Sequence, residues 1–275
     1  MKIVSNPESA GLETYVIQHG KEDAPRLNRI AEALAPSTTA LLDRFEPLRG
    51  RTIVDAACGG GDVTIELARR VEAEGQVYGL DADTGKLEAA ADRARDSGLG
   101  NCTFIKTDLT RKWPVEAVDL IYARFILTHL TEPEIFLAHA RKALKPGGVI
   151  VVEDVDVDGI FWHPTSKAME QLRNFYKTVT LGRGCDPFIG RRLDELLETG
   201  GFSSVRTGLV QPYGRSGPAK DAVIMSCHAT SASVLAAELA TEAELKSLLD
   251  EVDAYAARAD TIIGMPRVFQ AWGVK

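Results

Sequence analysis

Long apolar runs are missing from this sequence, and so is any sign of a secretion signal. No apolar run approaches the roughly 20 residues that a membrane-spanning helix needs. Residues 1–8 contain no apolar segment of the kind that a signal peptide carries. These absences predict a cytoplasmic protein without a membrane partner.

Cysteine is scarce as well. The sequence has four cysteines, Cys58, Cys102, Cys185 and Cys227, and none of them stands in Cys-x-x-Cys spacing. Cysteines scattered in this way indicate neither a disulfide framework nor a zinc site. We therefore expect no bound metal.

Positive charge is also in deficit, because 32 Lys and Arg residues face 39 Asp and Glu residues and the formal net charge is −7. A protein that binds nucleic acid usually carries an excess of positive charge along one surface. The acidic balance therefore argues against a nucleic-acid partner. The chain of 275 residues, 45% of them hydrophobic, is long enough for one large domain with an added cap.

Short apolar strands alternate with amphipathic helices in the middle of the chain. The predicted strands are 52–56, 76–80, 102–106, 118–122 and 149–153. Strands that are joined through helices of this length form parallel crossover units. The predicted fold class is therefore α/β, with a Rossmann-like, doubly wound and mostly parallel sheet that has helices on both faces.

The two flanking regions follow other patterns. Residues 11–49 have a helical pattern, and the alternation of strands and helices breaks after Asp154. The further predicted elements are helices 165–181 and 190–199, strand 204–211, helices near 219–238 and 241–259, and a last strand at 268–273. These segments predict additions before the first strand and after the fifth strand of the sheet.

A glycine-rich loop, Cys58-Gly59-Gly60-Gly61-Asp62, follows the first predicted strand. At this turn an open α/β sheet binds nucleotide-like ligands. A dinucleotide site needs Gly-x-Gly-x-x-Gly, but the last position is Thr64 when counted from Gly59 and Asp62 when counted from Ala57. Asp62 beside the helix N-terminus would also repel a pyrophosphate. The loop therefore disfavours a nicotinamide dinucleotide.

The stretch Val54-Asp55-Ala56-Ala57-Cys58-Gly59-Gly60-Gly61 resembles the first motif of class I S-adenosylmethionine-dependent methyltransferases, an acidic residue followed by small-x-Gly-x-Gly. Glycine is usual at the first small position of that motif, which is Ala57 in this chain. Four later segments, 77–81, 105–109, 118–130 and 144–148, resemble the family's following motifs in the same order. The resemblance implies a seven-stranded sheet and S-adenosylmethionine as the cofactor, with S-adenosylhomocysteine as the product.

The resemblance also implies roles for residues at the strand ends. Asp81 would accept from both ribose hydroxyls of the cofactor, and Asp108 from its adenine amino group. The full set of candidate cofactor-binding residues is Tyr15, Asp55, Ala57, Cys58, Gly59, Gly61, Asp81, Ala82, Thr107, Asp108, Leu109, Ala123 and Arg124.

Residues 184–202, Tyr15-Val16-Ile17 and Pro25-Arg26-Leu27 are similar to a bacterial subgroup of small-molecule methyltransferases. In that subgroup an N-terminal segment folds over the cofactor and a helical cap follows strand five. The similarity implies that residues 1–50 form a helical segment covering the cofactor site. Residues 51–275 would form the methyltransferase domain, with a cap insertion at about 155–189.

Methyl transfer from a sulfonium is an in-line displacement, so the protein mainly aligns the acceptor and excludes water. A general base helps when the acceptor is a hydroxyl. The candidate bases are His129, just past the fourth strand, and His163, in the cap. Each histidine also has a structural interpretation, His129 as a helix cap or as part of the apolar face with Leu127 and Leu130, and His163 as part of the cap.

Further residues at the same edge leave two interpretations open. Arg124 meets the carboxylate of the cofactor, meets an acidic acceptor or forms a surface ion pair. Glu153 and Asp154 either steady a cationic or hydroxylated acceptor or cap the next segment. The aromatic residues Phe161, Trp162, Phe175 and Tyr176 either line an apolar acceptor pocket or belong to the core.

These observations predict O- or N-methylation of a small-molecule acceptor, with C-methylation of a quinone-type ring as a close variant. A relative that binds the cofactor without transferring its methyl group would share the same motifs. An RNA methyltransferase would need a basic face, and a nicotinamide oxidoreductase would need the dinucleotide loop, so both are disfavoured but stay open. The sequence also leaves the oligomeric state open, a homodimer included.

Overall fold

The computed structural model of the protein describes residues 3–5, 17, 20–111 and 113–275, and one large sheet forms its centre. In spatial order its strands are β1 (Ile3–Ser5), β4 (Cys102–Lys106), β3 (Gln76–Asp81), β2 (Thr52–Ala56), β5 (Val118–Arg124), β6 (Leu144–Asp156), β11 (Arg267–Val274) and β8 (Ser203–Val210). Strand β11 is antiparallel to both of its neighbours, and every other neighbouring pair is parallel. The predicted Rossmann-like, mostly parallel sheet of seven strands is confirmed for β2 to β6, β8 and β11, and β1 adds an edge strand.

Helices cover both faces of the sheet, as predicted. They are α1 (Ala24–Leu42), α2 (Asp62–Val71), α3 (Thr84–Asp96), α4 (Pro133–Ala143), α5 (Lys167–Gly182), α6 (Leu193–Thr199), α7 (Pro218–Ala229), α8 (Ser231–Ala236) and α9 (Glu242–Ala257). On one face Phe136 of α4 and Leu197 of α6 are buried in one core with Val152 of β6, and on the other Leu67 of α2 and Leu87 of α3 are buried in a second core. None of the helices in the described residues is both long and apolar enough to cross a bilayer.

A cap with its own small sheet lies after the fifth strand of the motif region. Strands β7 (Phe161–His163), β10 (Ile262–Gly264) and β9 (Tyr213–Gly214) pair antiparallel in that order. Helices α5, α7 and α9 pack in one apolar core with α1, which contributes Ile30 and Leu34. The cap thus uses a second segment of the chain, 213–264, in addition to the predicted insertion at about 155–189.

Strand order reverses direction next to β2. The chain steps from β2 to β3 and then β4 on one side, and it then places β5 and β6 on the other side of β2. Ligands of open α/β sheets bind at such a reversal, beyond the carboxyl ends of the strands. The glycine-rich loop of residues 58–62 begins at this point, so the topology and the loop indicate the same site.

Candidate active site

One cavity lies beyond the carboxyl ends of the strands and continues under the cap. Its loop half is lined from β2, β3, β4 and the glycine-rich loop, and we define it by Asp55, Gly59, Asp81, Thr107 and Asp108. Its cap half is lined by residues after β6 and by α5 and α7. The side chains of the cap half are Val155, Val157, Ile160, Trp162, Met169, Leu172, Arg173, Tyr176, Ala222, Val223, Ser226, Cys227, Thr230, Met265 and Pro266.

The glycine-rich loop turns through left-handed backbone conformations. Ala57, Gly59 and Gly61 have φ values of 59°, 51° and 77°. Gly61 is the residue that precedes α2, and a Cβ atom added to it would lie 2.7 Å from the Cβ of Ala90 on α3. Glycine is required there because both the φ value and the close helix contact exclude a side chain. Gly61 was predicted to bind the cofactor, but it does not line the cavity and shapes the loop instead.

Asp81 ties this loop to the end of β3. Its carboxylate accepts hydrogen bonds from the backbone N–H groups of Gly59 and Asp83, each at 2.9 Å. Burial raises the pKa of Asp81, although the nearby ammonium of Lys86 opposes the shift. A carboxylate has about four acceptor positions. Two backbone bonds therefore leave Asp81 able to accept from ligand hydroxyl groups in the cavity.

Thr107 and Asp108 stand at the end of the neighbouring strand β4. Asp108 is buried and accepts from the backbone N–H and the hydroxyl of Thr110, at 2.9 and 2.6 Å. The Thr107 hydroxyl is buried at the cavity wall and has no hydrogen-bond partner among the described residues. Buried polar atoms are nearly always hydrogen-bonded in native proteins. This hydroxyl indicates that a polar ligand group belongs in the loop half.

Asp55 and Arg124 line the same cavity from the ends of β2 and β5. Asp55 is buried and accepts from the hydroxyl of Thr64 at 2.6 Å. Burial raises the pKa of Asp55 to about 7, against the opposing effects of Thr64 and of the Arg124 guanidinium. Arg124 donates to the hydroxyl of Thr38 on α1 at 3.1 Å. A carboxylate and a guanidinium in the same cavity suit a ligand that carries both an ammonium and a carboxylate group.

Helix α1 closes the cavity over the glycine-rich loop. Leu27 approaches Gly59 closely, 3.6 Å from the position that a Cβ atom would take. Arg26 forms a buried ion pair with Asp23 at 2.6 Å, and Lys86 of α3 reaches the same carboxylate at 3.4 Å. The sequence pattern marked the segment around Arg26 but did not identify this ion-pair cluster, because Asp23 and Lys86 are far apart in the chain.

A second buried network begins at Tyr122, which lines the cavity, and continues behind the cavity wall. The Tyr122 hydroxyl donates a short hydrogen bond to Glu153, which also accepts from the side chain of Gln270 at 2.7 Å. Asp154 is fully buried and accepts from the backbone N–H groups of Val155 and Thr128, at 2.8 and 3.2 Å. Neither Glu153 nor Asp154 lines the cavity, so the interpretation that they steady the acceptor is wrong.

The two candidate histidines occupy different environments. His129 ends the short helical turn after β5, is only 4% exposed and lines the cavity. His163 is exposed and does not line the cavity, whereas Trp162 beside it does. Successive side chains of a strand point to opposite faces, so β7 turns His163 away from the cavity. The assignment of His163 as a catalytic residue is corrected accordingly.

The cap brings together side chains that the sequence pattern did not combine. Met169, Leu172, Arg173 and Tyr176 occupy positions i, i+3, i+4 and i+7 of α5 and form one face of that helix.

The four aromatic residues that the sequence singled out, Phe161, Trp162, Phe175 and Tyr176, divide between two environments. Trp162 and Tyr176 line the cavity, and Phe161 and Phe175 do not.

The remaining predicted cofactor-binding residues lie mostly at the cavity wall. Those that line it are Asp55, Ala57, Cys58, Gly59, Asp81, Ala82, Thr107, Asp108, Leu109 and Arg124. Ala123 of β5 does not line the cavity, because it is fully buried in the apolar core of the sheet. Tyr15 lies outside the described residues.

The fold is that of the Rossmann-like proteins, and buried acids at the strand ends line its cavity. Over residues 48–201, more than half of its length, the chain matches a family of methyltransferase domains. The chain belongs to this family, and the resemblance to class I S-adenosylmethionine-dependent methyltransferases is confirmed. S-adenosylmethionine is the cofactor of this class.

Curated relatives carry methyltransferase names. The ubiquinone/menaquinone biosynthesis C-methyltransferase UbiE of Idiomarina loihiensis is 32% identical over 131 residues, which cover 46% of this chain and 49% of that protein. The aklanonic acid methyltransferase DauC of a Streptomyces species is 30% identical over 120 residues, 43% of this chain and 54% of that one. The chain spans about half the length of the curated relatives it matches.

Solved structures share the fold. A structure of a protein from Bacillus halodurans C-125 has a TM-score of 0.59 at 17% identity, over 86% of this chain and 97% of that one. Phosphoethanolamine N-methyltransferase 2 of Haemonchus contortus, in complex with phosphomonomethylethanolamine and S-adenosylhomocysteine, has a TM-score of 0.53 at 17% identity, over 86% and 52% of the two chains. At this identity the likeness establishes the fold alone.

Proposed function

We propose that this protein transfers the methyl group of S-adenosylmethionine to a small-molecule acceptor bound in the cap half of the cavity. The observation that carries the proposal is the continuity of one cavity. Acids at the ends of β3 and β4 line one end of it, and the mostly apolar side chains of the cap line the other. A nucleoside ligand in the loop half and an apolar acceptor in the cap half would share this space.

In the loop half, polar side chains would bind the separate parts of the cofactor. Asp81 has acceptor positions for the ribose hydroxyls, and Asp108 and the Thr107 hydroxyl are polar groups for the adenine end. Asp55 and Arg124 suit the ammonium and the carboxylate of the amino-acid portion. When bound, this cofactor supplies an activated methyl group on a sulfonium, so the chemical demand on the protein is small.

The protein's own contribution is to align the acceptor, to exclude water and to accept a proton. Helix α1 and the cap share one apolar core, which would limit the access of solvent to the cavity. His129 is the buried histidine at the cavity wall, and we assign it as the general base for a hydroxyl or amine acceptor. Methylation at carbon is the second candidate, because the relatives include proteins named as C-methyltransferases.

The first test is a calorimetric titration with S-adenosylmethionine and S-adenosylhomocysteine, with NAD as the control. We expect both adenosyl ligands to bind in the micromolar range and NAD not to bind. An acceptor screen that follows the release of S-adenosylhomocysteine would then find turnover. Cofactor binding without turnover for any acceptor would support a protein that binds the cofactor without transferring its methyl group, and NAD binding in place of the adenosyl ligands would contradict the proposal.

Asp81→Asn should weaken S-adenosylhomocysteine binding by about tenfold to a hundredfold, the usual effect of losing hydrogen bonds to a charged acceptor. The amide keeps the shape of the side chain but removes its charge and one of its two acceptor atoms. Calorimetry measures the change. The control is Asp96→Asn at the exposed end of α3, which makes the same chemical change away from the cavity. Equal affinity in the Asp81 variant and the wild type would remove Asp81 from the cofactor site.

Cofactor affinity should also depend on pH through Asp55. Its pKa is raised to about 7, so the carboxyl is mostly neutral at pH 5.5 and mostly ionised at pH 7.5. Only the ionised form attracts the ligand's ammonium. S-adenosylhomocysteine affinity should therefore rise with pH in this range, by up to about tenfold per pH unit.

Asp55→Asn should abolish this rise in affinity and weaken binding at pH 7.5. The matched control is Asp154→Asn, because burial raises the pKa of Asp154 to about 7 as well but Asp154 lies outside the cavity wall. Calorimetry at a series of pH values measures both variants. A pH dependence that survives in the Asp55 variant and disappears in the Asp154 variant would contradict the assignment.

A further inference from the structure

The cap half of the cavity is mostly apolar, and Arg173 is its exception. Among the described residues that line this half, Arg173 is the one with a permanent charge, and no carboxylate lines it. The remaining side chains there include Leu172, Met169 and Val223, which offer no polar group to a ligand. A charge in such surroundings needs a partner.

The guanidinium of Arg173 has no anionic partner in the part of the chain that the structure describes. Its central carbon lies over the ring of Trp162, 5.0 Å from the ring centre. Its Nε atom is buried and has no hydrogen-bond partner among the described residues. Lys177, one turn further along α5, forms an ion pair with Asp158 at 2.6 Å. Lys177 therefore has an acidic partner, whereas Arg173, which faces the cavity, has none among the described residues.

A guanidinium whose Nε–H is buried and unused is suited to bind an oxyanion, because Nε and one terminal nitrogen can donate two parallel hydrogen bonds to it. The contact with the ring of Trp162 already positions the guanidinium, so less conformational freedom is lost when the anion binds. Arg173 is the one cation among the described residues that line the cap half, and its single positive charge balances one negative charge. A carboxylate meets this condition, whereas a phosphate monoester carries more charge at neutral pH.

We propose that Arg173 selects the methyl acceptor by binding a carboxylate group on it, and that the acceptor is an apolar carboxylic acid. The inference rests on the proposed function and adds the substrate class to it. The carboxylate pairs with Arg173, and the apolar body of the acceptor packs against Trp162, Met169 and Leu172. An uncharged compound of the same shape leaves Arg173 without a partner and binds more weakly.

The test uses aromatic acids of increasing size, each with its uncharged amide as the matched compound. The probes are benzoate, 2-naphthoate and anthracene-2-carboxylate with their three amides, titrated into the protein saturated with S-adenosylhomocysteine. We expect at least one acid to bind tighter than its amide by about tenfold or more, as a charge-assisted pair requires. If no acid binds tighter than its amide, the proposal is overturned.

Variants of α5 show whether a change in acid binding comes from the loss of the Arg173 charge or from a general change in the helix. Arg173→Met should abolish the preference for the acid and leave amide binding nearly unchanged, and Arg173→Lys should keep part of the preference. Lys167→Met removes the same charge from an exposed position of the helix and should change nothing. If Arg173→Met keeps the full preference for the acid, Arg173 is not the anion site.

Two further measurements distinguish the possible failures. S-adenosylhomocysteine binding is measured separately for every variant, and wild-type affinity in Arg173→Met shows that the variant is folded. Loss of cofactor binding in the wild type would contradict the proposed function itself, whereas intact cofactor binding without an acid preference would contradict the Arg173 assignment alone. Tighter binding of 2-naphthyl phosphate than of 2-naphthoate would overturn the choice of a carboxylate.

Discussion

Replacement of His129 by alanine is expected to lower the turnover number by about 100-fold or more, the usual loss when a general base is removed. S-adenosylhomocysteine is expected to bind this variant with the same affinity as the wild type. The reason is the position of the residue. His129 is buried at the wall of the cavity, directly after the strand end that carries Arg124, and it belongs to a short helical turn that fixes its place. The measurement is the release of S-adenosylhomocysteine with an acceptor found in the screen.

Two histidines serve as controls for this result. His163→Ala tests the second candidate base that the sequence suggested, and full turnover is expected because its side chain is exposed on the other face of β7. His139→Ala changes a histidine of α4 away from the cavity and is also expected to be silent. His129→Gln keeps a side chain of similar volume. Normal turnover in both His129 variants would show that the residue is structural.

The contrast between the two histidines shows how far the sequence was predictive. Asp55, Asp81 and Asp108 could be placed correctly because each of them lies near the end of a strand, and parallel strands bring their carboxyl ends to one edge. His129 follows β5 by the same logic. The backbone alone determines these positions, so the order of the motifs was sufficient to predict them.

The cap could not be predicted in this way. Strands β7, β9 and β10 contain only two or three residues each, and the pairing of β7 with β10 joins Trp162 to Ile263, far along the chain. A strand of this length has no detectable hydrophobic period. The direction of His163 depends on that pairing, and so does the contact between Trp162 and Arg173. Helix α5 was predicted, but the face that it turns to the cavity depends on the cap's packing.

Glycine at position 61 shows the same limit inside the best-predicted motif. The motif predicted that Gly61 touches the cofactor, but the structure places it against Ala90 of α3. The structure also favours glycine at position 61, but the reason is the close contact with α3 and not the approach of the cofactor. A motif records which residue a position tolerates, and only the packing of α2 against α3 reveals what excludes a larger side chain.

Gly61→Ala should destabilise the folded protein by about 3 kcal/mol, as the combined cost of left-handed strain and of overpacking. The φ value of 77° is unfavourable for alanine, and the new Cβ atom would lie 2.7 Å from the Cβ of Ala90. Because the loop must shift to relieve the contact, S-adenosylhomocysteine affinity should fall as well. Urea denaturation measures the free energy of unfolding, and calorimetry measures the affinity.

Gly98→Ala is the matched control for this change. Gly98 has a φ value of 72°, close to that of Gly61, but a Cβ atom added to it meets nothing within 4 Å. This variant should lose only about 1 kcal/mol, the cost of the backbone conformation without the contact. The difference between the two variants then isolates the packing of the loop against α3. Equal losses would show that the contact with Ala90 contributes nothing.

The double variant Gly61→Ala with Ala90→Gly tests the contact directly. Ala90→Gly alone should cost about 1 kcal/mol because it places glycine inside a helix. In the double variant the 2.7 Å contact cannot form, since the Cβ of Ala90 is absent. The two changes should therefore destabilise the protein by less than the sum of their separate effects, as expected for residues in direct contact. Strict additivity would mean that left-handed strain alone explains the requirement for glycine at the start of α2.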